Sequence, residues 1–221
     1  AGRFYRLTAP LRARLTSRLT ARLHTGNSVA HEPALFSSGS ARWLAKAGTD
    51  IIHLHWVSDN MLSVRAIGRL PGTLVWTLHD MWPFCGAEHY SDDTRWHSGY
   101  NAENRPAHES GFDLNRWVWR RKRKAWRRPI QIVAPSRWLA GLARESALMS
   151  GWPVEVIPNA IDTGTWRPGD RAAARSLLAL PEDRRLILFG AMGGDRDPRK
   201  GFDLLATALG HLKTSGIEHL S

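Results

Sequence analysis

Asp50-Ile51-Ile52-His53-Leu54-His55 and Thr73-Leu74-Val75-Trp76-Thr77-Leu78 read as two short strands of β-branched and apolar residues, with a helical stretch from Ser58 to Leu70 between them. The same alternation continues downstream. A basic helix spans about Leu114–Arg128, a strand Ile130–Pro135, a helix Arg137–Ser150 and a strand Val154–Ile157. Strands alternating with helices are the rhythm of a βαβ fold with a parallel sheet, so the expected class is α/β with a Rossmann-like unit. The stretch from His79 to about Gly111 reads as a long polar loop, too long to be an idle connection and expected to be functional or mobile.

Pro158, Asn159, Pro168 and Gly169 punctuate a linker. Beyond it come a helix at about Arg171–Leu180, a strand Leu186-Ile187-Leu188-Phe189-Gly190, a Gly-rich loop and a helix beginning near Gly201. This predicts two domains: residues 1–168 as a Rossmann-like domain with its linker, and 169–221 as the first βα unit of a second one. One strand with one helix cannot enclose a core, since parallel sheets are covered on both faces. The expectation is therefore a tail docked on the first domain or a truncated chain.

At the other end, Arg3, Arg6, Arg12, Arg14, Arg18 and Arg22 accompany leucines at Leu7, Leu11, Leu15, Leu19 and Leu23. Steps of four place the leucines on one stripe of an amphipathic basic helix. Three readings fit: packing on its own domain, lying on a membrane surface, or serving as an Arg-rich targeting segment.

Composition narrows the class. The 221 residues are 43% hydrophobic and 23% charged, which argues against general disorder or a fibrous repeat. No apolar run approaches the roughly 18–20 residues that cross a bilayer. The net charge of +11 favours phosphates as partners, whether of nucleotides, nucleic acid or anionic lipid. Cys85 is the sole cysteine, which excludes an intrachain disulfide and a cysteine-rich zinc site and points to a cytoplasmic compartment.

Open α/β sheets bind ligands beyond the carboxyl ends of their strands. His53 and His55, two apart, share one side of the first strand, and His79 ends the next, followed by Asp80, Met81 and Trp82. Imidazoles can donate to a sugar hydroxyl and accept a proton near neutral pH, while tryptophans such as Trp56 and Trp82 offer flat apolar faces. A third feature runs from Gly190 to Gly201. There Gly193 and Gly194 let backbone N–H groups approach an anion, and Arg196, Arg199 and Lys200 add charge, as in a diphosphate cradle.

These words, with Trp76-Thr77-Leu78-His79-Asp80-Met81-Trp82-Pro83-Phe84, Ala134-Pro135-Ser136-Arg137-Trp138-Leu139, Val156-Ile157-Pro158-Asn159-Ala160-Ile161-Asp162 and Asp197-Pro198-Arg199-Lys200-Gly201-Phe202, resemble the successive motifs of group 1 glycosyltransferases. These form glycosyltransferase family 4, and the similarity is to enzymes of bacterial exopolysaccharide and colanic-acid-type assembly. The resemblance implies the two-domain GT-B fold, with acceptor on the first domain and nucleotide-sugar donor on the second. It further implies a glycan or lipid-linked acceptor, transfer with retention of configuration, and no cofactor or obligatory metal.

Residue by residue, the resemblance makes His79, with Asp80, the catalytic group facing the donor sugar. His55 and Trp56, with Trp82, fall in the neighbouring acceptor cleft, and Lys200 contacts the donor diphosphate. Ala191 stands where the family carries an arginine, leaving Arg196 or Arg199 to compensate. The family's Glu-x7-Glu donor segment would fall beyond Ser221, so the 221-residue chain is expected to turn over little donor by itself.

Arg116, Arg120, Arg121, Lys122, Arg123, Lys124, Arg127 and Arg128 crowd the basic helix, interleaved with Trp117, Trp119 and Trp126. Contact with an anionic membrane, at the inner face of the cell membrane, is the preferred reading, with a solvated helix whose tryptophans reach the core as the alternative; nucleic acid is not expected. The rival to an enzyme is a non-catalytic basic module that binds membrane or polyanion through residues 1–25 and 114–128.

Overall fold

The computed structural model describes residues 3–25 and 29–214. Its elements begin with α1 (Arg3–Thr20), β1 (Leu23–His24), α2 (Ser40–Lys46), β2 (Ile51–Leu54), α3 (Val64–Ile67) and β3 (Thr73–Thr77). Then follow α4 (Arg95–Ser98), β4 (Ser110–Gly111), α5 (Leu114–Ala125), β5 (Gln131–Ala134), α6 (Arg137–Glu145), β6 (Val154–Val156), α7 (Arg171–Leu177) and α8 (Phe202–Thr214). The chain divides into two compact units, residues 1–160 and 161–221.

In the first unit β2, β3, β5 and β6 form one sheet in that order, every neighbouring pair parallel. The expected Rossmann-like sheet is present, and its strands are the four apolar runs read from the sequence. Ile52, Leu54, Leu74, Trp76, Ile132 and Ala134 turn into the core. Trp76, Trp82 and Trp126 meet there edge to face, with ring centroids 5.4 Å apart for Trp76 and Trp126 and 6.1 Å for Trp82 and Trp126. Three helices start on side-chain caps that accept an otherwise orphaned N–H: Ser63 for α3, Asp113 for α5 and Ser136 for α6.

Several expected elements differ. The helix from Ser58 to Leu70 contracts to Val64–Ile67, because Asp59 (φ 56°) and Asn60 (φ 60°) adopt left-handed backbone that no helix continues through. The basic helix stops at Ala125, since Pro129 has no N–H to extend it and restricts the residue before it. The helix begun at Arg137 ends at Glu145, where Ser146 turns extended and its hydroxyl caps the next turn at Met149.

The segment after His79 divides: its first part is apolar and packed, while residues 101–111 are polar and mostly exposed. Met81 through His89 are buried, and Glu32 N–H donates to Ala87 O at 2.7 Å. Farther along, the buried Arg95 guanidinium clamps Asp93 (2.9 Å) and Glu109 (3.2 Å). Met81, Trp82, Phe84, Cys85 and Ala87 belong to the core.

In the second unit Leu186–Gly190 forms no strand ladder among the described residues. The helix after Gly201 is present as α8. Among the described side chains of α1, Leu19 packs on the core, while Leu11 and Leu15 are 57% and 41% exposed. The side chains of Leu7 and Leu23 fall outside the described residues. No helix among the described residues is long and apolar enough to cross a membrane.

Candidate active site

β2 is buried on alternate residues, so Ile52 and Leu54 face the core and His53 and His55 face out. β3 lies beside it in parallel register, Leu54 opposite Trp76, which brings His79 alongside His55 at the carboxyl edge. The two rings meet: His55 Nδ1 and His79 Nε2 are 3.0 Å apart, with centroids at 5.3 Å. The His53 ring lies tilted, its centroid 4.4 Å from that of His55, and His53 Nε2 bonds to Thr77 Oγ1 at 2.8 Å. Partial burial, helped by the neighbouring His55, lowers the His53 pKa and favours its neutral form.

The shared hydrogen bond constrains the pair. One of the two facing nitrogens must carry the hydrogen and the other the lone pair. In either neutral arrangement the outer nitrogens, His55 Nε2 and His79 Nδ1, then present one donor and one acceptor. A ligand group that both donates and accepts, such as a hydroxyl, matches this pair.

Asp80 lies behind this edge, buried, with Oδ1 accepting the Trp82 N–H at 3.0 Å and Oδ2 2.6 Å from His89 Nδ1. It orients the turn and His89 from within. Trp56 is 46% exposed and keeps a free face, its ring 6.2 Å from that of His89. Trp82 departs from its expected place in the cleft: it is 2% exposed, donates its indole N–H to Glu32 O at 2.8 Å and packs against the Lys122 ammonium. It offers no face to a sugar because the core occupies both.

Sequence reasoning missed His89, Glu32 and Lys122. Glu32 is buried, its carboxyl pKa raised by desolvation, with Oε1 accepting the Ala34 N–H at 2.7 Å. No local pattern marks these three; they meet the site only through the folding back of distant segments.

The second unit carries the Gly-rich loop. Gly193 (φ 87°) and Gly194 (φ 51°) take left-handed backbone, and two single 3₁₀ turns follow, Gly194–Arg196 and Pro198–Lys200. Arg199 is bound inside the loop: its Nε and Nη2 donate to Asp197 at 2.9 and 2.7 Å, which holds the Asp197 carboxyl below the usual range. Arg196 and Lys200 remain exposed. No three His, Cys, Asp or Glu side chains among the described residues converge as a metal-binding group.

The sequence profile of Glycosyltransferase Family 4 matches residues 6–165, which takes in the whole parallel sheet and its histidine edge. The chain belongs to glycosyltransferase family 4. A D-inositol 3-phosphate glycosyltransferase of Nocardioides sp. is 42% identical over 59 residues, 27% of this chain and 12% of that relative. A second, from Segniliparus rotundus, is 37% identical over 79 residues, 36% of this chain and 17% of its own length. The matched segment spans less than a fifth of either relative. No solved structure gives a significant match.

Proposed function

We propose that this family 4 chain takes part in glycosyl transfer from a nucleotide-sugar donor to a glycan or lipid-linked acceptor, in polysaccharide assembly and with retention of configuration. The observation that carries the reading is the His55–His79 pair, held at 3.0 Å on the open carboxyl edge of the sheet beside the exposed Trp56. In this reading His79 meets the donor sugar, and His55 and Trp56 hold the acceptor, with Asp80 orienting the turn that carries His79. Gly193, Gly194, Arg196 and Lys200 cradle the diphosphate of the departing nucleotide. As the glycosidic bond breaks, negative charge grows on that leaving group and must be met by cations and backbone donors. Arg199, already paired with Asp197, shapes the loop more than it supplies free charge. A peripheral contact with anionic membrane would bring the basic face toward a lipid-linked acceptor.

The test is turnover of a panel of nucleotide sugars by the full-length protein. His79→Ala should lower kcat by roughly 10²–10⁴-fold, the range for a positioned acid–base or polar group in the transition state. Turnover that survives His79→Ala unchanged removes the pair from the chemistry. A protein that consumes no nucleotide sugar, yet binds anionic vesicles in a salt-sensitive way, would favour the non-catalytic basic module.

A further inference from the structure

A groove of about 610 Å³ lies between α3 and α5, and every charged residue that lines it is a cation. Arg65 and Arg69 come from α3 and the turn that continues it, Arg121 and Lys124 from α5, with Val64 and Ala125 between them. A neighbouring cavity of about 310 Å³ shares Arg65 and Arg69 and adds Arg42. Neither cavity is lined by a carboxylate.

Arg121 is fixed in place. Its Nη1 donates to Pro33 O at 2.9 Å and its guanidinium lies 4.7 Å from the Trp117 ring centroid. Burial lowers its pKa, and among the described residues Arg121 forms no ion pair. Among the described residues, the side chains of Arg65, Arg69 and Lys124 make no hydrogen bond or ion pair. Arg65, Arg69 and Lys124 are exposed and Arg121 is half-buried; like charges gathered around one cavity repel. A ligand that supplies several anionic oxygens relieves the repulsion, and guanidinium forks match phosphate oxygens two at a time.

From this the geometry points to a phosphate-binding site in the α3–α5 groove, separate from the histidine edge. None of His53, His55 or His79 lines it, so it stands or falls independently of the transfer reading. The volume suits a phosphate ester or a diphosphate. The phosphate can come from a soluble ligand or from a lipid headgroup, and the two are distinguished below.

The probe is inorganic pyrophosphate, and the readout is arginine footprinting of the 221-residue chain with phenylglyoxal. Pyrophosphate should protect Arg65 and Arg69 and leave Arg14 and Arg18, exposed on α1, as reactive as before. The paired variant Arg69→Gln/Lys124→Gln should weaken the affinity that produces protection at Arg65 by roughly tenfold or more, the consequence of losing two charge-assisted contacts. Arg14→Gln/Arg18→Gln removes the same net charge and should leave that affinity within about twofold, because a remote exposed charge is largely screened. If phosphatidylglycerol vesicles also protect Arg65 and Arg69 while phosphatidylcholine vesicles do not, the source is a headgroup. Protection by pyrophosphate alone assigns a soluble ligand. Absence of protection, or equal weakening in both paired variants, overturns the site.

Discussion

Lys122 is the residue on which the buried half of the site hangs. It is fully buried, and its Nζ donates to the carbonyls of Trp82, Cys85 (3.1 Å) and Gly86 (2.6 Å) under the Trp82 ring. An ammonium has three hydrogens and here meets three acceptors, which ties α5 to the turn just beyond His79 and Asp80. Desolvation nonetheless lowers its pKa to about 7. Lys122→Met leaves three buried carbonyls without a donor, so it should cost about 2–4 kcal/mol at neutral pH. The pH dependence has a definite sign. Unfolded lysine titrates near ~10.4, so between about 7 and 10.4 the unfolded chain holds a proton the native chain has released. The burial penalty is full below the native pKa and is relieved as pH rises, so stability should rise with pH in this window. Urea titrations at about pH 7 and about pH 8.5 should show wild type gaining roughly 1–2 kcal/mol on Lys122→Met. A constant difference would show that Lys122 does not change its protonation there.

Among the elements, the α3–α5 contact depends on Gly68, which has ordinary helical backbone, so the need for glycine is one of space. A Cβ there would lie 2.3 Å from the Ala125 carbonyl oxygen. In open space Gly→Ala at such a backbone would stabilise by about 0.4–1 kcal/mol. Against immovable backbone, Gly68→Ala should instead destabilise by about 1–3 kcal/mol, and a denaturant midpoint that rises would contradict the packing. The four sheet strands were legible because each is a short apolar run. The outward pair His53 and His55 was legible because strand periodicity is local. What stayed hidden depends on distant partners. Leu186–Gly190 has strand composition yet joins no sheet among the described residues, Ser58–Leu70 is interrupted by two left-handed residues, and the segment after His79 is covered by residues 29–36 folding over it. His89 and Lys122 enter the site for the same reason, and Trp82 leaves it.

At the scale of the whole molecule, the two units differ in how much they bury. The first gathers a continuous core around Trp76, Trp82 and Trp126 on a four-strand sheet. In the second, no residue of α7 or α8 is buried, and Leu188 and Met192 are 97% and 94% exposed. Helices of seven and thirteen residues are marginal in water unless a packed face supports them. Local opening should therefore cost far less in residues 161–214 than in the sheet. Native-state hydrogen exchange read by mass spectrometry should find amides of β3 and β5 protected over those of α7 by roughly 10³-fold or more, since sheet amides open only near the global free energy while frayed helices open almost freely. Protection in α7 equal to that of β3 would mean that the second unit is stabilised as deeply as the first, contrary to the burial seen in it.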